Sequence, residues 1–239
     1  MNGKNLFIRT KMQYIKKQNL PPADWNEWFT KAAGGRSFDY GSDYGSLTNL
    51  SLARQFLIDE QNGLCAYCQQ SIKIDNSSIE HVIPKEFNIE LSTNYYNLVA
   101  VCRHPSKDPD TDKLHCDKGK GSNLITPLIF ISSSDVTDQK SNCFFDALAD
   151  GQITAKHTLS QEHIKQVESF ISILNLNHKI LKEKRAKDVI DGLIAAFGSI
   201  QNHQKNDFWQ IQFDRILLNK KHPFRQFLLI FIGRKLGLS

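Results

Sequence analysis

Two cysteines open the chemistry of this sequence. Cys65-Ala66-Tyr67-Cys68 places two thiols two residues apart, a spacing that lets a tight knuckle present both sulfurs to one ion. Cys102 and Cys116 can complete a four-thiolate zinc site, with the thirteen residues between them, rich in Asp, Lys and Pro, looped out. His104 and His115 compete with them, because imidazole also binds zinc. A redox reading of the pair requires a preceding strand and a following helix in an alternating α/β pattern, which the flanking residues lack. The fifth cysteine, Cys143, is expected to be a small buried hydrophobe.

Between the two halves of this clamp lies Ser78-Ile79-Glu80-His81-Val82-Ile83-Pro84-Lys85. On an extended segment, adjacent side chains leave in different directions, so one of Glu80 and His81 can hold a metal while the other faces water or substrate. Asp117 directly follows the last cysteine, and Lys118 and Lys120 lie close enough to contact a phosphate. A purely structural zinc knuckle accounts for the four cysteines. It gives no reason for Glu-His between them or for Asp after the last.

The elements that must carry these residues are short. Pro21-Pro22 precedes a helical pattern from Ala23 to Ala33, Gly34-Gly35 ends it, and 37–46 reads as a loop. A second helix starts near Ser51, with Leu52, Phe56 and Leu57 on one face, and stops at Asn62-Gly63 before the knuckle. Residues 63–125 predict brief strands and helical turns. Cys143–Leu148 and Gln152–His157 flank Asp150-Gly151, a hairpin signal. Beyond Ser160 the period is helical: Ile164 to Leu174, Asn177 to about Phe197, from about Asn206, and Pro223 to Leu236.

The 239 residues, 40% apolar and 23% charged, suit a globular chain with a core and exclude a disordered, collagen-like or rod-like one. No apolar run approaches the 18–20 residues of a membrane span, and the N-terminus lacks a signal-peptide core. The expectation is a soluble, cytoplasmic protein. Charge is uneven: 16 basic against 18 acidic residues up to 150, and 14 against 7 beyond. Such a basic half attracts phosphates or an acidic protein surface, or is simply a solvated helical face.

The order CxxC, EHxxPK, NLxxxC, CDxxKG resembles the HNH endonucleases of the zinc-stapled ββα-metal type. More narrowly it resembles the PtuB nucleases of Septu antiphage systems, also found in retron cassettes. Ile15-Lys16-Lys17, Pro22, Leu174-Asn175-Leu176-Asn177, Leu181 and Arg185 extend the likeness over about residues 12–190. The resemblance implies an α+β fold in three parts. These are an N-terminal helical segment (1–62), a nuclease core with zinc knuckle and following hairpin (63–158), and a helical partner-docking region (159–239). It makes His81 the general base, Glu80 and Asp117 the ligands of a catalytic Mg²⁺ or Mn²⁺, and Asn97 the brace of the loop between the strands. Two features depart from the family: the long loop between Cys102 and Cys116, and Asp117 where His or Asn is usual, on a helix containing Gly119 and Gly121.

That assignment is chemically coherent. A neutral imidazole takes a proton from water at pH 7, hard carboxylates suit Mg²⁺, and soft thiolates suit zinc. The family further implies cleavage of DNA or RNA, tRNA included, and a PtuA-type ABC/SMC-like ATPase partner. In retrons a reverse transcriptase and its DNA product join them. Phe208, Trp209, Phe213, Phe224 and Phe227, with Arg215, Lys220, Lys221 and Arg225, are the expected docking residues, although part of this set must form the local core. A non-catalytic zinc module that binds nucleic acid or protein is the alternative.

Overall fold

Short apolar runs broken by turn formers give a mixed helix and small-sheet α+β architecture, in which loops and side-chain hydrogen bonds do much of the positioning. The computed structural model describes residues 15–33, 50–103, 114–125, 131–132, 144–201 and 205–238. Strand β1 (Ile15–Lys16) pairs in parallel with β4 (Ile131–Ser132). Helices α1 (Trp25–Ala32) and α2 (Ser51–Glu60) precede the knuckle. The chain leaves α2 at Asn62-Gly63, where the Gly63 N–H donates to the Ile58 carbonyl at 2.8 Å.

Strands β2 (Ser77–His81) and β3 (Leu98–Cys102) pair antiparallel, with Ser77 opposite Cys102 and His81 opposite Leu98. Leu98, Val99, Ala100 and Val101 are all fully buried. Successive strand side chains point to opposite faces, so both faces of β3 are covered, which is why it reads as a continuous apolar run. The four-residue helix α3 (Asp117–Lys120) follows. Gly119 lets the backbones approach closely there: a Cβ would lie 3.3 Å from the Leu174 carbonyl oxygen.

The hairpin β5 (Phe145–Ala147) and β6 (Ile153–Ala155) turns at Asp150-Gly151. Gly151 has φ +82°, and a Cβ on it would sit 2.0 Å from the Lys182 carbonyl oxygen. Gly151→Ala must therefore displace backbone as well as strain its own. A loss of about 2–4 kcal/mol is expected, read as a lower denaturant midpoint.

Helix α4 (Gln161–Ile173) starts at Ser160, whose hydroxyl accepts from the His163 N–H. The helix expected over Asn177 to Phe197 is divided: α5 (Lys179–Arg185), a π-helical turn at Ala186–Asp191, then α6 (Gly192–Ser199). Helices α7 (Lys205–Leu218) and α8 (Arg225–Lys235) complete the chain. One apolar cluster runs from Trp25 and Leu57 through β3 to Phe170, Phe213 and α8. Among the described residues no helix is long and apolar enough to cross a membrane.

The aromatic docking set needs correction. Phe208, Phe213, Phe224 and Phe227 are buried, and Trp209 is partly buried, stacked on Phe197 at 5.2 Å. Gln226 to Gly233 are all buried, because α8 is apolar on every side and can only pass through the interior. Arg225 donates to the Ile216 and Leu217 carbonyls, whereas Arg215, Lys220 and Lys221 are exposed. The Phe224 N–H donates to the Gln69 carbonyl (3.0 Å) and the Gln226 N–H to Gln69 Oε1 (3.0 Å). A chain ending near Asn202 would therefore lose direct support for the cysteine knuckle, not a separable appendage.

Candidate metal centre and active site

The knuckle forms because Cys65 to Gln70 folds back on itself. The Cys65 N–H donates to the Gln70 carbonyl (2.9 Å), the Gln69 N–H to the Cys65 carbonyl (3.1 Å), and Gln69 turns at φ +64°. Gln61, fully buried, ties it to β3: Nε2 donates to the Leu64 and Ala100 carbonyls at 2.8 and 2.7 Å, and Oε1 accepts from Ala100 N–H at 2.7 Å. Cys102 ends β3. Cys116 enters α3 at φ +58°, held by its N–H to the Leu174 carbonyl at 2.9 Å.

These elements bring the four sulfurs of Cys65, Cys68, Cys102 and Cys116 within 4.8 Å of one another. Cys65 and Cys116 stand 3.9 Å apart, Cys68 and Cys102 3.7 Å. A regular tetrahedron with zinc–sulfur bonds of about 2.3 Å has edges of about 3.8 Å. Two of the six sulfur–sulfur edges match that value and all lie within 4.8 Å, so the four thiols could hold a tetrahedral ion such as zinc. Burial, and then the neighbouring sulfurs, push the Cys116 thiol up. His115 Nδ1 lies 3.1 Å from the Cys116 sulfur and 3.8 Å from that of Cys102, so it abuts a sulfur set that closes without it. His104 and Cys143 lie outside the described residues.

Beside the sulfurs is an acidic corner. Glu80, 5% exposed, accepts from the Tyr67 hydroxyl (3.1 Å) and pairs with Lys120 Nζ (2.8 Å). Asp117, at the start of α3, lies near enough for its charge to act on the Glu80 carboxyl. Two carboxylates and one ammonium leave one negative charge uncompensated, a deficit that a proton or a cation relieves. Burial first, and then Asp117, push Glu80 up to about 8 against the pull of Lys120.

His81 is 7% exposed, and its Nε2 lies 2.9 Å from the Ser92 carbonyl oxygen. A carbonyl only accepts, so Nε2 carries the hydrogen and Nδ1 is the basic nitrogen. Burial lowers the His81 pKa below the ordinary imidazole value, with Lys120 and Lys85 adding to the effect. The ring is therefore neutral at pH 7. Asn97 closes the loop from β2 to β3. Its Oδ1 accepts from Ile83 N–H at 2.8 Å, and Nδ2 donates to the Ile83 and Leu91 carbonyls at 3.0 and 3.2 Å.

Lys118 is exposed, but Lys120, expected to meet a phosphate, points inward. It is 1% exposed and also donates to the His81 carbonyl at 2.9 Å. Its ammonium offsets part of the carboxylate charge instead of reaching for substrate. Tyr67 and Gln61 escaped the sequence reading, since nothing in their spacing marks an x in CxxC or a residue at a helix end as a site support. Asn175 and Asn177 serve as clamps: Asn175 Nδ2 donates to the Leu114 carbonyl (2.8 Å), and Asn177 bonds both backbone groups of Ile153 (2.8 and 2.9 Å).

This is an α+β protein with a four-cysteine cluster able to hold a metal and a buried carboxylate–histidine corner against it. No family model matches the chain. It is 25% identical over 141 residues to a protein of Vibrio cholerae serotype O1 biovar El Tor named "Retron Vc95 putative HNH endonuclease". The alignment covers 58% of this chain and 63% of that relative, so the chain spans less than two thirds of the relative's length. The match supports a relationship to HNH endonucleases and nothing narrower.

Proposed function

We propose that the chain is a metal-dependent HNH endonuclease hydrolysing phosphodiester bonds of nucleic acid. The observation that supports this reading is a four-cysteine cluster able to hold a metal, followed directly by Asp117, whose charge acts on Glu80, with His81 next to Glu80 on β2. β2, β3 and α3 then correspond to the ββα-metal core. Glu80 and Asp117 would hold Mg²⁺ or Mn²⁺, which supplies charge neutralisation at the scissile phosphate. His81 Nδ1 takes the proton of the attacking water, its ring oriented by the Ser92 carbonyl. Asn97 braces the loop after β2, Lys120 holds Glu80 and the His81 backbone, and the exposed Lys118 would meet phosphate.

The relative's name carries the word retron, and from the likeness to PtuB nucleases we further propose a role as effector in antiphage defence with a PtuA-type ATPase as regulator. The test incubates the purified chain, with and without a PtuA-type ATPase, with plasmid DNA and total RNA plus Mg²⁺ or Mn²⁺. Cleavage that requires the divalent ion and is lost in Glu80→Ala supports the proposal. Binding without cleavage under every condition overturns it in favour of a non-catalytic module.

The acidic corner also predicts a pH effect on stability. Glu80 titrates at about 8 in the folded chain, above the ordinary 4.5, so the folded state keeps a proton that the unfolded state has released. Stability of the Mg²⁺-free protein should fall as pH rises from about 5 to about 8. Millimolar Mg²⁺ should raise the Tm more at pH 8.5 than at pH 5.5, because at the lower pH the ion must displace that proton. Thermal scans at the two pH values check both signs.

A further inference from the structure

We infer that Arg185 is the counter-charge of the four-cysteine metal centre, binding the helical half of the chain to the knuckle electrostatically. Zinc held by four thiolates carries a net charge of −2, and such a charge is costly in a protein interior unless a cation lies near it. Arg185 ends α5 and is 2% exposed. Nη1 donates to the Gly151 carbonyl (2.9 Å) and Nη2 to the Leu176 carbonyl (2.7 Å), while the guanidinium lies 5.8 and 5.6 Å from the ring centres of Phe224 and Phe227. Among the described residues it forms no ion pair with a carboxylate.

Carbonyls and ring faces solvate a cation but do not neutralise it. Burial brings the guanidinium down to about 10, and the sulfurs of Cys68 and Cys116 act against that fall. Arg185 and Cys68 also line the same small cavity, together with Tyr67, Gln69 and Phe227. A guanidinium this deep is explained by an anionic cluster next to it, and an anionic cluster by a guanidinium. Neither depends on the nuclease reading: the inference concerns the metal centre alone.

Arg185 is a positioning residue here, and the test separates its charge from its packing. Free Zn²⁺ is set with a metal buffer, and occupancy is read by elemental analysis of the full chain. Arg185→Gln, which keeps an amide donor but no charge, should need about 10–100-fold more free zinc for half-loading, the range typical of groups that support metal ligands. Arg185→Lys should stay close to the parent. In a Cys68→His background, where one thiolate becomes a neutral imidazole, the penalty of Arg185→Gln should shrink. Equal loss in the Gln and Lys variants, or an undiminished penalty with Cys68→His, overturns the inference in favour of packing alone. If Arg185→Gln alone does not fold, recovery of a zinc-loaded fold with Cys68→His supports the charge assignment, and failure to recover refutes it.

Discussion

Replacing Cys65 and Cys68 with serine, or stripping metal with a strong chelator, should unfold the knuckle and the β2–β3 pair together. Four buried sulfurs at tetrahedral spacing close a loop from Cys65 to Cys116, and the segments they join have few elements of their own. Structural zinc contributes an apparent free energy on the order of 10 kcal/mol in small modules, comparable with the whole stability of an ordinary domain. The loss should reach further than the knuckle. Gln69 receives both the Phe224 and Gln226 N–H groups, so α8 loses its anchor when the turn opens. The expected readouts are one zinc per chain in the parent, none in the double variant, and loss of the cooperative thermal transition. Full zinc occupancy in the double variant would refute the four-sulfur site.

His81→Ala is expected to lower cleavage by about 10²–10⁴-fold while leaving zinc content unchanged, since a positioned general base contributes about that much. The structural cost should be small. The ring's hydrogen bond to the Ser92 carbonyl is worth about 1 kcal/mol, and the strand that carries it is held by pairing to β3 and by Lys120 on its carbonyl. Activity and Tm measured on the same preparation separate the two effects. Cleavage by the variant at the parental rate would remove His81 from the mechanism. A large fall in Tm would instead mean that the ring is a structural support.

The knuckle, the stop at Asn62-Gly63, the Asp150-Gly151 hairpin and the helical period beyond Ser160 were legible because each is local. Ligand type and spacing, turn chemistry and apolar periodicity depend only on neighbours in sequence. The π-helical turn was not legible, since the period on both sides of Ala186–Asp191 stays helical and only packing chooses between the two windings. The aromatic cluster on α7 and α8 illustrates a second limit. Aromatic residues serve cores and interfaces alike, and the decision came from α8 passing through the interior beneath the knuckle.

Side-chain chemistry of Cys, Glu, His and Asp marks the residues able to bind metal, and local backbone preference marks the short elements that carry them. Tertiary structure alone decided which sulfurs meet, since Cys102 and Cys116 are separated by a loop whose length says nothing about where its ends lie. It also turned Lys120 inward onto Glu80 and set Arg185 on the cavity that Cys68 lines. A charged side chain carries no mark in sequence of whether it will face water. That depends on which opposite charge the fold buries next to it, and burial is a property of distant segments packing together.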